Sequence, residues 1–257
     1  MNWFINFANN EYKDNYKKAI IIFPYAGGGA YSFKKWQGYF LDTQIYVAQY
    51  PGRENRINEK PINNFDDMLI NLYEEIKQII DLYDDYYLLG HSLGTKFVYE
   101  LALKIQSDKK TMPNGMIISA GKAPCFKELN PIHKLNDKEF IKEMGRFSDK
   151  PLEIMKNIEF MKIFLPTLKA DFYLAETYLN TKIVAVESPI MGLMGTEDKE
   201  LTIEELVKWG DYTYKGFSYH FIEGGHMFIN NNLEKVVEKV RLFLKNTQNY
   251  KTTSNKS

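Results

Sequence analysis

Apolar residues along the chain form short runs, separated by longer stretches with helical spacing. Six of these runs are rich in β-branched and aromatic residues, which predicts buried strands. The predicted strands cover Ala19–Phe23, Ile45–Ala48, Tyr86–Leu89, Met116–Ser119, Ile190–Met194 and Phe217–Ile222. Runs such as "AIIIF" are apolar at every position rather than at alternate ones, which is typical of strands covered on both faces of a sheet.

The stretches between these strands carry apolar residues three or four positions apart, as amphipathic helices do. The segment "FDDMLINLYEEIKQIIDLY" places six apolar side chains on one face, those of Met68, Leu69, Leu72, Ile76, Ile79 and Ile80. In "TIEELVKWG", Thr202 is a predicted helix cap with Glu205 as its capping-box partner. The segment "NNLEKVVEKVRLFLKN" predicts a last amphipathic helix. Strands that alternate with helices predict an α/β fold with a mostly parallel central sheet flanked by helices.

One interval, from Ala123 to about Thr181, breaks the alternation because no strand is predicted in it. Its segments indicate helices, so we expect a helical insertion that covers the sheet as a lid. We therefore predict a single domain over 1–247, with the lid at about 123–181, followed by a polar tail at 248–257. Several lid residues suit an adaptable apolar cover, although packing of the lid onto the sheet is the preferred interpretation for most of them: Met144, Phe147, Met155, Phe160, Met161 and Phe164.

Composition narrows the classes of function. Lys plus Arg and Asp plus Glu both total 33, so a large basic field for nucleic acid is not expected. Cys125 is the single cysteine, which excludes a disulfide within the chain and fits a reducing compartment. We recognise no signal peptide, and the longest apolar runs are too short to span a bilayer. We therefore expect a cytoplasmic protein that binds neither nucleic acid nor membrane.

The stretch "GHSLG" at 90–94 follows a predicted strand and precedes a predicted helix. It matches G-x-S-x-G, in which two glycines give clearance to a strained turn that exposes a nucleophilic serine. The backbone N–H of Leu93, at the start of the new helix, could donate to an oxyanion. An ordinary glycine-flanked turn is the alternative interpretation, and the context of strand and helix favours Ser92 as the nucleophile.

A serine hydroxyl needs a base, and the chain offers four histidines. His91 adjoins Ser92 and should point elsewhere, His133 lies in the insertion, and His220 falls within a predicted strand. His226 follows "EGG" just after the last strand, where this topology delivers its base. His226 is therefore the predicted base, and a solvated loop histidine is the alternative.

The imidazole needs a carboxylate to set its tautomer. The segment "GTEDKE" offers Glu197 and Asp198 directly after a predicted strand, between the serine and the histidine in chain order. Asp198 is the preferred acid and Glu197 the second choice. Asp171 lies in a helical pattern and Asp211 follows a helix, so both fit less well.

A glycine-rich loop, "FPYAGGGAYSF", follows the first predicted strand. Such a loop allows a substrate to approach the backbone closely, and it could supply a second oxyanion donor. It could instead cradle a phosphate. However, it lacks the G-x-G-x-x-G spacing, and no G-K-[ST] follows, so a nucleotide site is disfavoured.

Taken together, these segments resemble the type II thioesterases, discrete α/β-hydrolases that accompany nonribosomal peptide and polyketide synthases. The resemblance runs from Trp3 to about Phe243. "GHSLG" is generic to hydrolases, whereas three other segments are more specific: "FPYAGGGAYSFKKW" at 23–36, "YPGRENR" at 50–56 and "LPTLKADFYLAETY" at 165–178. "GTEDKE" at 195–200 and "GGHMFI" at 224–229 also match.

The resemblance implies a catalytic triad of Ser92, Asp198 and His226, with the backbone amides of Ala26 and Leu93 as the oxyanion hole. It implies removal of wrong or stalled acyl groups from the phosphopantetheine arm of an acyl or peptidyl carrier protein. The implied mechanism needs no metal and no bound cofactor. Tyr25 stands where related sequences often carry histidine, so no side-chain role is assigned to it.

Two other functions remain open on the sequence. One is a chain-releasing fatty acyl thioesterase or acyltransferase. The other is a carrier-binding scaffold without activity, which the presence of all three triad candidates disfavours. The sequence leaves the preferred acyl group, the synthase and the oligomeric state open, with a monomer as one option.

Overall fold

A computed structural model describes residues 3–7, 16–147 and 158–254 of the chain. Seven strands form one sheet in the order β1-β3-β2-β4-β5-β6-β7. The strands are β1 (Phe4–Asn6), β2 (Lys18–Phe23), β3 (Thr43–Ala48), β4 (Asp85–His91), β5 (Gly115–Ser119), β6 (Ile190–Gly195) and β7 (Phe217–Ile222). β1 pairs antiparallel with β3, and all other neighbours in the sheet are parallel. The predicted α/β fold with a mostly parallel sheet is confirmed.

All six predicted strands are present, with ends that differ from the prediction by two residues at most. Strand β1 was not predicted. It has three residues, lies at the edge of the sheet and pairs only with β3, so it carries too little periodicity to stand out in the sequence.

Helices cover both faces of the sheet. They are α1 (Phe65–Ile80), α2 (Leu93–Ser107), α3 (Asp137–Met144), α4 (Ile158–Thr177), α5 (Ile203–Val207), α6 (Phe228–Asn231) and α7 (Leu233–Ser254). Short 3₁₀ helices lie at Ala30–Tyr39, Glu54–Arg56, Gly145–Phe147 and Lys208–Tyr212. One face of the sheet packs against α1 and α2, and the other packs against α7 and the 3₁₀ helix Ala30–Tyr39. Consecutive residues of β4 show this directly, because Leu88 belongs to the first core and Leu89 to the second.

Two local predictions about helices are confirmed. On α1 the predicted apolar face is buried, apart from Leu69, which is partly buried against the same core. At α5 the Thr202 side chain accepts from the Glu205 N–H, and the Glu205 carboxylate accepts from the Thr202 N–H. This reciprocal pair satisfies two N–H groups that the helix itself leaves free.

The predicted insertion at 123–181 contains α3, α4 and the 3₁₀ helix Gly145–Phe147, and its described residues form no strand. Its apolar side chains build a separate small core that includes Met144, Met161 and Phe172. Packing is therefore the role of Met144 and Met161, while Phe164 is partly buried. Met155 and the side chain of Phe160 lie outside the described residues.

The final helix α7 continues through most of the predicted polar tail, to Ser254. Hydrogen bonds attach it to the sheet where the tail begins. The Thr247 hydroxyl lies 3.1 Å from the Tyr87 hydroxyl, and the Gln248 amide donates to Asp85 over 3.4 Å. These contacts involve polar side chains, so hydrophobic periodicity gave no sign of them.

Candidate active site

Ser92 occupies the sharp turn between β4 and α2. Its backbone has φ +52° and ψ −112°, a left-handed conformation that is strained for a residue with a side chain. The flanking glycines are needed for clearance. A Cβ at Gly90 would overlap the backbone of Gly94, and a Cβ at Gly94 would overlap the carbonyl of Phe23. The turn therefore has the geometry that the G-x-S-x-G pattern predicts.

His226 and Asp198 approach Ser92 from the loops that follow β7 and β6. The Nε2 atom of His226 lies 3.0 Å from the Ser92 Oγ, and its Nδ1 lies 2.9 Å from the Asp198 Oδ2. An ionised carboxylate can only accept, so in the neutral imidazole Nδ1 donates to Asp198 and Nε2 accepts from the Ser92 hydroxyl. The structure thus brings all three predicted residues into one hydrogen-bonded series with the polarity that nucleophile activation requires.

The two carboxylates of the acid loop have different environments. The Asp198 side chain is 0% exposed, and its Oδ1 accepts from the Glu200 N–H over 2.9 Å. The Glu197 side chain is exposed. The Glu197 backbone N–H donates to the Gly224 carbonyl over 2.9 Å, which ties the acid loop to the loop of His226. Of the two candidates, it is therefore Asp198 that meets the imidazole.

His91, which sequence reasoning excluded as the base, supports the base instead. Its ring is fully buried, with Nε2 at 3.0 Å from the His226 carbonyl and Nδ1 at 2.8 Å from the Ser119 Oγ. A carbonyl only accepts, so Nε2–H donates to it and Nδ1 accepts from Ser119. Burial, together with the nearby His226, holds the pKa of His91 well below its usual range. His91 therefore stays neutral and anchors the loop that carries the base.

The other two histidines lie where the sequence placed them. His133 belongs to the insertion, and its Nδ1 lies 2.6 Å from the Glu176 Oε2. His220 belongs to β7, and burial, reinforced by the charge of Lys239, lowers its pKa. Neither His133 nor His220 is hydrogen-bonded to Ser92.

The two predicted oxyanion donors flank the same cavity as Ser92. Ala26 lies in a turn closed by a 2.9 Å bond from the Gly28 N–H to the Tyr25 carbonyl, and Leu93 is the first residue of α2. The Tyr25 ring packs edge-on against His91, and its hydroxyl accepts from Asn230 over 2.9 Å. The side chain of Tyr25 is thus a support beneath the base loop.

A buried ion pair, which sequence reasoning did not find, holds the glycine-rich loop. The Asp171 carboxylate, on α4, accepts hydrogen bonds from both terminal nitrogens of Arg53 at 2.6 and 2.7 Å. It also accepts from the Gly27 N–H at 2.7 Å. Arg53 also donates to the Gly28 carbonyl over 2.9 Å. Asp171 fitted poorly as a triad acid because it lies in a helix. One feature of the sequence could have pointed to this ion pair. Arg53 and Asp171 lie in two of the segments most specific to the family resemblance, "YPGRENR" and "LPTLKADFYLAETY".

The cavity beside Ser92 has a volume of about 80 Å³ and is more polar than a lid rich in Met and Phe suggested. Phe147 and Phe172 contribute aromatic walls, and the Phe147 ring centroid lies 5.4 Å from that of His226. The charged residues that line the cavity are Lys96, Lys122, Glu128, Glu176 and Glu200. Burial raises the pKa of Glu200, although the nearby Arg146 acts in the opposite direction.

The described ranges contain neither a membrane-spanning helix nor a cluster of metal ligands. No helix there is both long enough and apolar enough to cross a membrane. Within the same ranges, no three His, Cys, Asp or Glu side chains are grouped as metal ligands would be.

Known proteins of similar sequence are biosynthetic proteins. The chain is 32% identical over 240 residues to the Gramicidin S biosynthesis protein GrsT of Aneurinibacillus migulanus, covering 92% of this chain and 91% of that protein. It is 28% identical over 226 residues to the probable anguibactin biosynthesis thioesterase AngT of Vibrio anguillarum, covering 86% of this chain and 89% of the relative.

The fold is also similar to that of solved thioesterases. YbtT, described as a type II thioesterase from the yersiniabactin biosynthetic pathway, superposes with a TM-score of 0.85 at 22% identity, over 96% of this chain and 99% of YbtT. At that identity the likeness concerns the fold, which is that of an α/β-hydrolase. The thioesterase domain family matches residues 18–244. Because this match spans most of the chain, the protein belongs to the thioesterase domain family.

Proposed function

We propose that the protein is a type II thioesterase. It removes aberrant or stalled acyl groups from the phosphopantetheine arm of a carrier protein that serves a peptide or polyketide synthase. The observation that carries this proposal is the series Ser92–His226–Asp198, hydrogen-bonded at 3.0 and 2.9 Å beside a cavity, in a chain of the thioesterase family. The names of GrsT and AngT support a place in peptide-type biosynthesis. The single cysteine favours the cytoplasm as the site of action.

The reaction begins with attack of the Ser92 Oγ on the thioester carbonyl. His226 Nε2 takes the hydroxyl proton, and the buried Asp198 carboxylate stabilises the imidazolium that results. The negative charge that develops on the carbonyl oxygen is stabilised by the backbone N–H groups of Ala26 and Leu93. When the carbon–sulfur bond breaks, His226 returns the proton to the leaving thiolate, so the arm departs as a thiol.

The acyl-Ser92 ester is then hydrolysed. A water molecule attacks the ester carbonyl while His226 Nε2 takes one of its protons, and this proton passes to the Ser92 Oγ as the ester bond breaks. The carboxylic acid leaves and the resting hydroxyl is restored. The strained turn at Ser92 keeps the hydroxyl exposed for both steps.

The test combines an active-site label with a panel of acyl-carrier substrates. The intact protein should release acyl groups from the carrier, and a fluorophosphonate should label it at Ser92. Ser92→Ala should retain the fold but lose the label and the turnover. Ser107→Ala, at the exposed far end of α2, is the matched control and should keep both. Labelling that survives in Ser92→Ala, or release of no acyl group by the intact protein, would refute the proposal.

A further inference from the structure

Lys96 lies on α2, four residues after Ser92, and lines the same cavity. Ser92 directly precedes this helix and Lys96 lies in its first turn, over which an α-helix rises about 5.4 Å. The cavity of about 80 Å³ equals the volume of roughly three waters in the liquid, which suits a short acyl group. A short acyl group on Ser92 therefore has its far end within reach of the Lys96 ammonium group.

Among the described residues, no carboxylate forms an ion pair with the Lys96 ammonium group. Its contact is with the Tyr178 ring, 5.2 Å from the centroid. The carboxylates whose charge acts on the Lys96 ammonium group are those of Glu128 and Glu205. Both are held by Lys122, at 3.1 and 3.4 Å.

The remaining carboxylates that line the cavity are also engaged. Glu200 lies 3.1 Å from the Arg146 Nε. Glu176 accepts from the backbone N–H groups of Ile132 and His133 at 2.8 and 2.9 Å, and it lies 2.6 Å from the His133 ring. Lys96 is therefore the lining cation that lacks an ion-pair partner among the described residues.

An ammonium group in such a place is costly unless an anion joins it. Burial, with a smaller contribution from nearby Lys122, lowers the pKa of Lys96 to about 8. A bound carboxylate would stabilise the charged form and would replace the water that the ammonium group has lost. The substrate is the available source of that carboxylate.

We propose that Lys96 binds a carboxylate at the far end of the acyl group, so that the preferred substrates are short dicarboxylic acyl groups or aminoacyl groups with an acidic side chain. This inference rests on the proposed thioesterase function. The arm itself also carries an anion, its phosphodiester. That group is separated from the thioester sulfur by the whole pantetheine unit, whereas Lys96 follows Ser92 by one helical turn, so the acyl carboxylate is the better-placed partner.

The test compares two acyl groups of equal shape on the same carrier. Succinyl ends in a carboxylate and succinamoyl ends in the isosteric neutral amide. The intact protein should favour succinyl in kcat/KM by roughly 10- to 100-fold, as expected for a hydrogen bond between charged groups. In Lys96→Met this ratio should fall to about one. Lys104→Met, on the same helix but packed on Tyr73 away from the cavity, is the control and should keep the ratio of the intact protein.

Further measurements separate the possible outcomes. Lys96→Gln serves as a second variant if Lys96→Met does not fold, with thermal melting and fluorophosphonate labelling as checks of the fold. The same pair of acyl groups on N-acetylcysteamine, which has no phosphate, should show the same preference. If Lys96→Met lowers kcat/KM equally for both acyl groups on the carrier, and for neither on N-acetylcysteamine, then Lys96 binds the phosphodiester of the arm and the proposal is overturned. A ratio near one in the intact protein, or one that Lys96→Met leaves unchanged, would also overturn it. Turnover of neither acyl group nor of acetyl would refute the thioesterase function itself and this inference with it.

Discussion

Replacement of Asp171 by asparagine should destabilise the protein and also slow the reaction at Ser92. The Asp171 side chain is 1% exposed and that of its partner Arg53 is 6% exposed. Asp171→Asn removes the negative charge that compensates the buried guanidinium, while an amide of nearly the same size remains. The change therefore tests the charge rather than the packing.

The expected loss of stability follows from burial. Removal of one partner of a buried ion pair typically costs about 3–5 kcal/mol, because the other charge stays buried and uncompensated. That is a large share of the roughly 5–15 kcal/mol by which a domain is stable. The other acceptors of the Arg53 guanidinium are the carbonyls of Gly28 and Pro51, which carry no charge to replace that of Asp171.

The expected loss of rate follows from the contact with Gly27. Its N–H donates to Asp171, and Gly27 directly follows Ala26, whose amide is a proposed oxyanion donor. Loss of one such donor costs about 10²- to 10³-fold in kcat. The asparagine oxygen can still accept from Gly27, so we expect a smaller loss of about tenfold in kcat, with a smaller change in KM.

The assay is urea unfolding followed by tryptophan fluorescence, together with steady-state release of acetyl from a carrier. Asp137→Asn is the matched control. Asp137 on α3 pairs at 2.6 Å with Lys169, which lies on α4 as Asp171 does, but its side chain is 57% exposed. Exposed pairs contribute at most about 1 kcal/mol, and kcat should stay unchanged in this control. If Asp171→Asn costs no more stability than the control, or if kcat is unaffected, then the ion pair does not hold the oxyanion loop as argued.

Three further predictions concern the triad, the lid and the lysine in the cavity. Asp198→Asn should lower kcat by about 10⁴-fold, because the amide favours the wrong tautomer of the His226 imidazole. Glu197→Gln should have little effect on kcat, because the Glu197 side chain is exposed. If steady-state kinetics show the reverse, Glu197 is the triad acid. Phe147→Trp, in the cavity wall, should reduce release of long acyl chains relative to acetyl. Met161→Trp should instead lower the melting temperature by overpacking the lid core, with the chain-length ratio unchanged; a shifted ratio for this variant alone would contradict the structure. The pKa of Lys96 is about 8 in the folded protein, which is below that of an unfolded lysine. The charged lysine therefore lowers the free energy of unfolding by its full amount below pH 8, and this loss disappears as the pH rises toward 10. Lys96→Met should therefore stabilise the protein more at pH 7 than at pH 10 in urea titrations, and an equal gain at both values would argue against a desolvated lysine.

Much of the fold and of the candidate site could be predicted from local patterns. The predicted segments of β2 to β6 are apolar at nearly every position, and this pattern follows from burial on both faces of the sheet. β7 lies at the edge of the sheet and is buried only at Ile222, and its aromatic and β-branched residues predicted it instead. The turn at Ser92 could also be predicted from the sequence. Neighbouring backbone lies so close to Gly90 and Gly94 that neither position has room for a side chain. Chain order and loop position then sufficed to select His226 and Asp198, since the carboxyl ends of parallel strands meet at one edge.

The remaining features of the site depend on contacts between segments far apart in the chain. Arg53 and Asp171 are 118 residues apart, and neither position shows a periodic pattern that indicates a partner. The same holds for the bond from His91 to the His226 carbonyl, across 135 residues. The polarity of the cavity depends on charged residues that α2, α4 and the segments after β5 and β6 bring together, which are Lys96, Lys122, Glu128, Glu176 and Glu200. Hydrophobic periodicity records whether a side chain is buried, but not which distant group it meets. The chemistry of catalysis was therefore visible in the sequence, whereas the charge pattern that would select a substrate appeared only once the chain was folded.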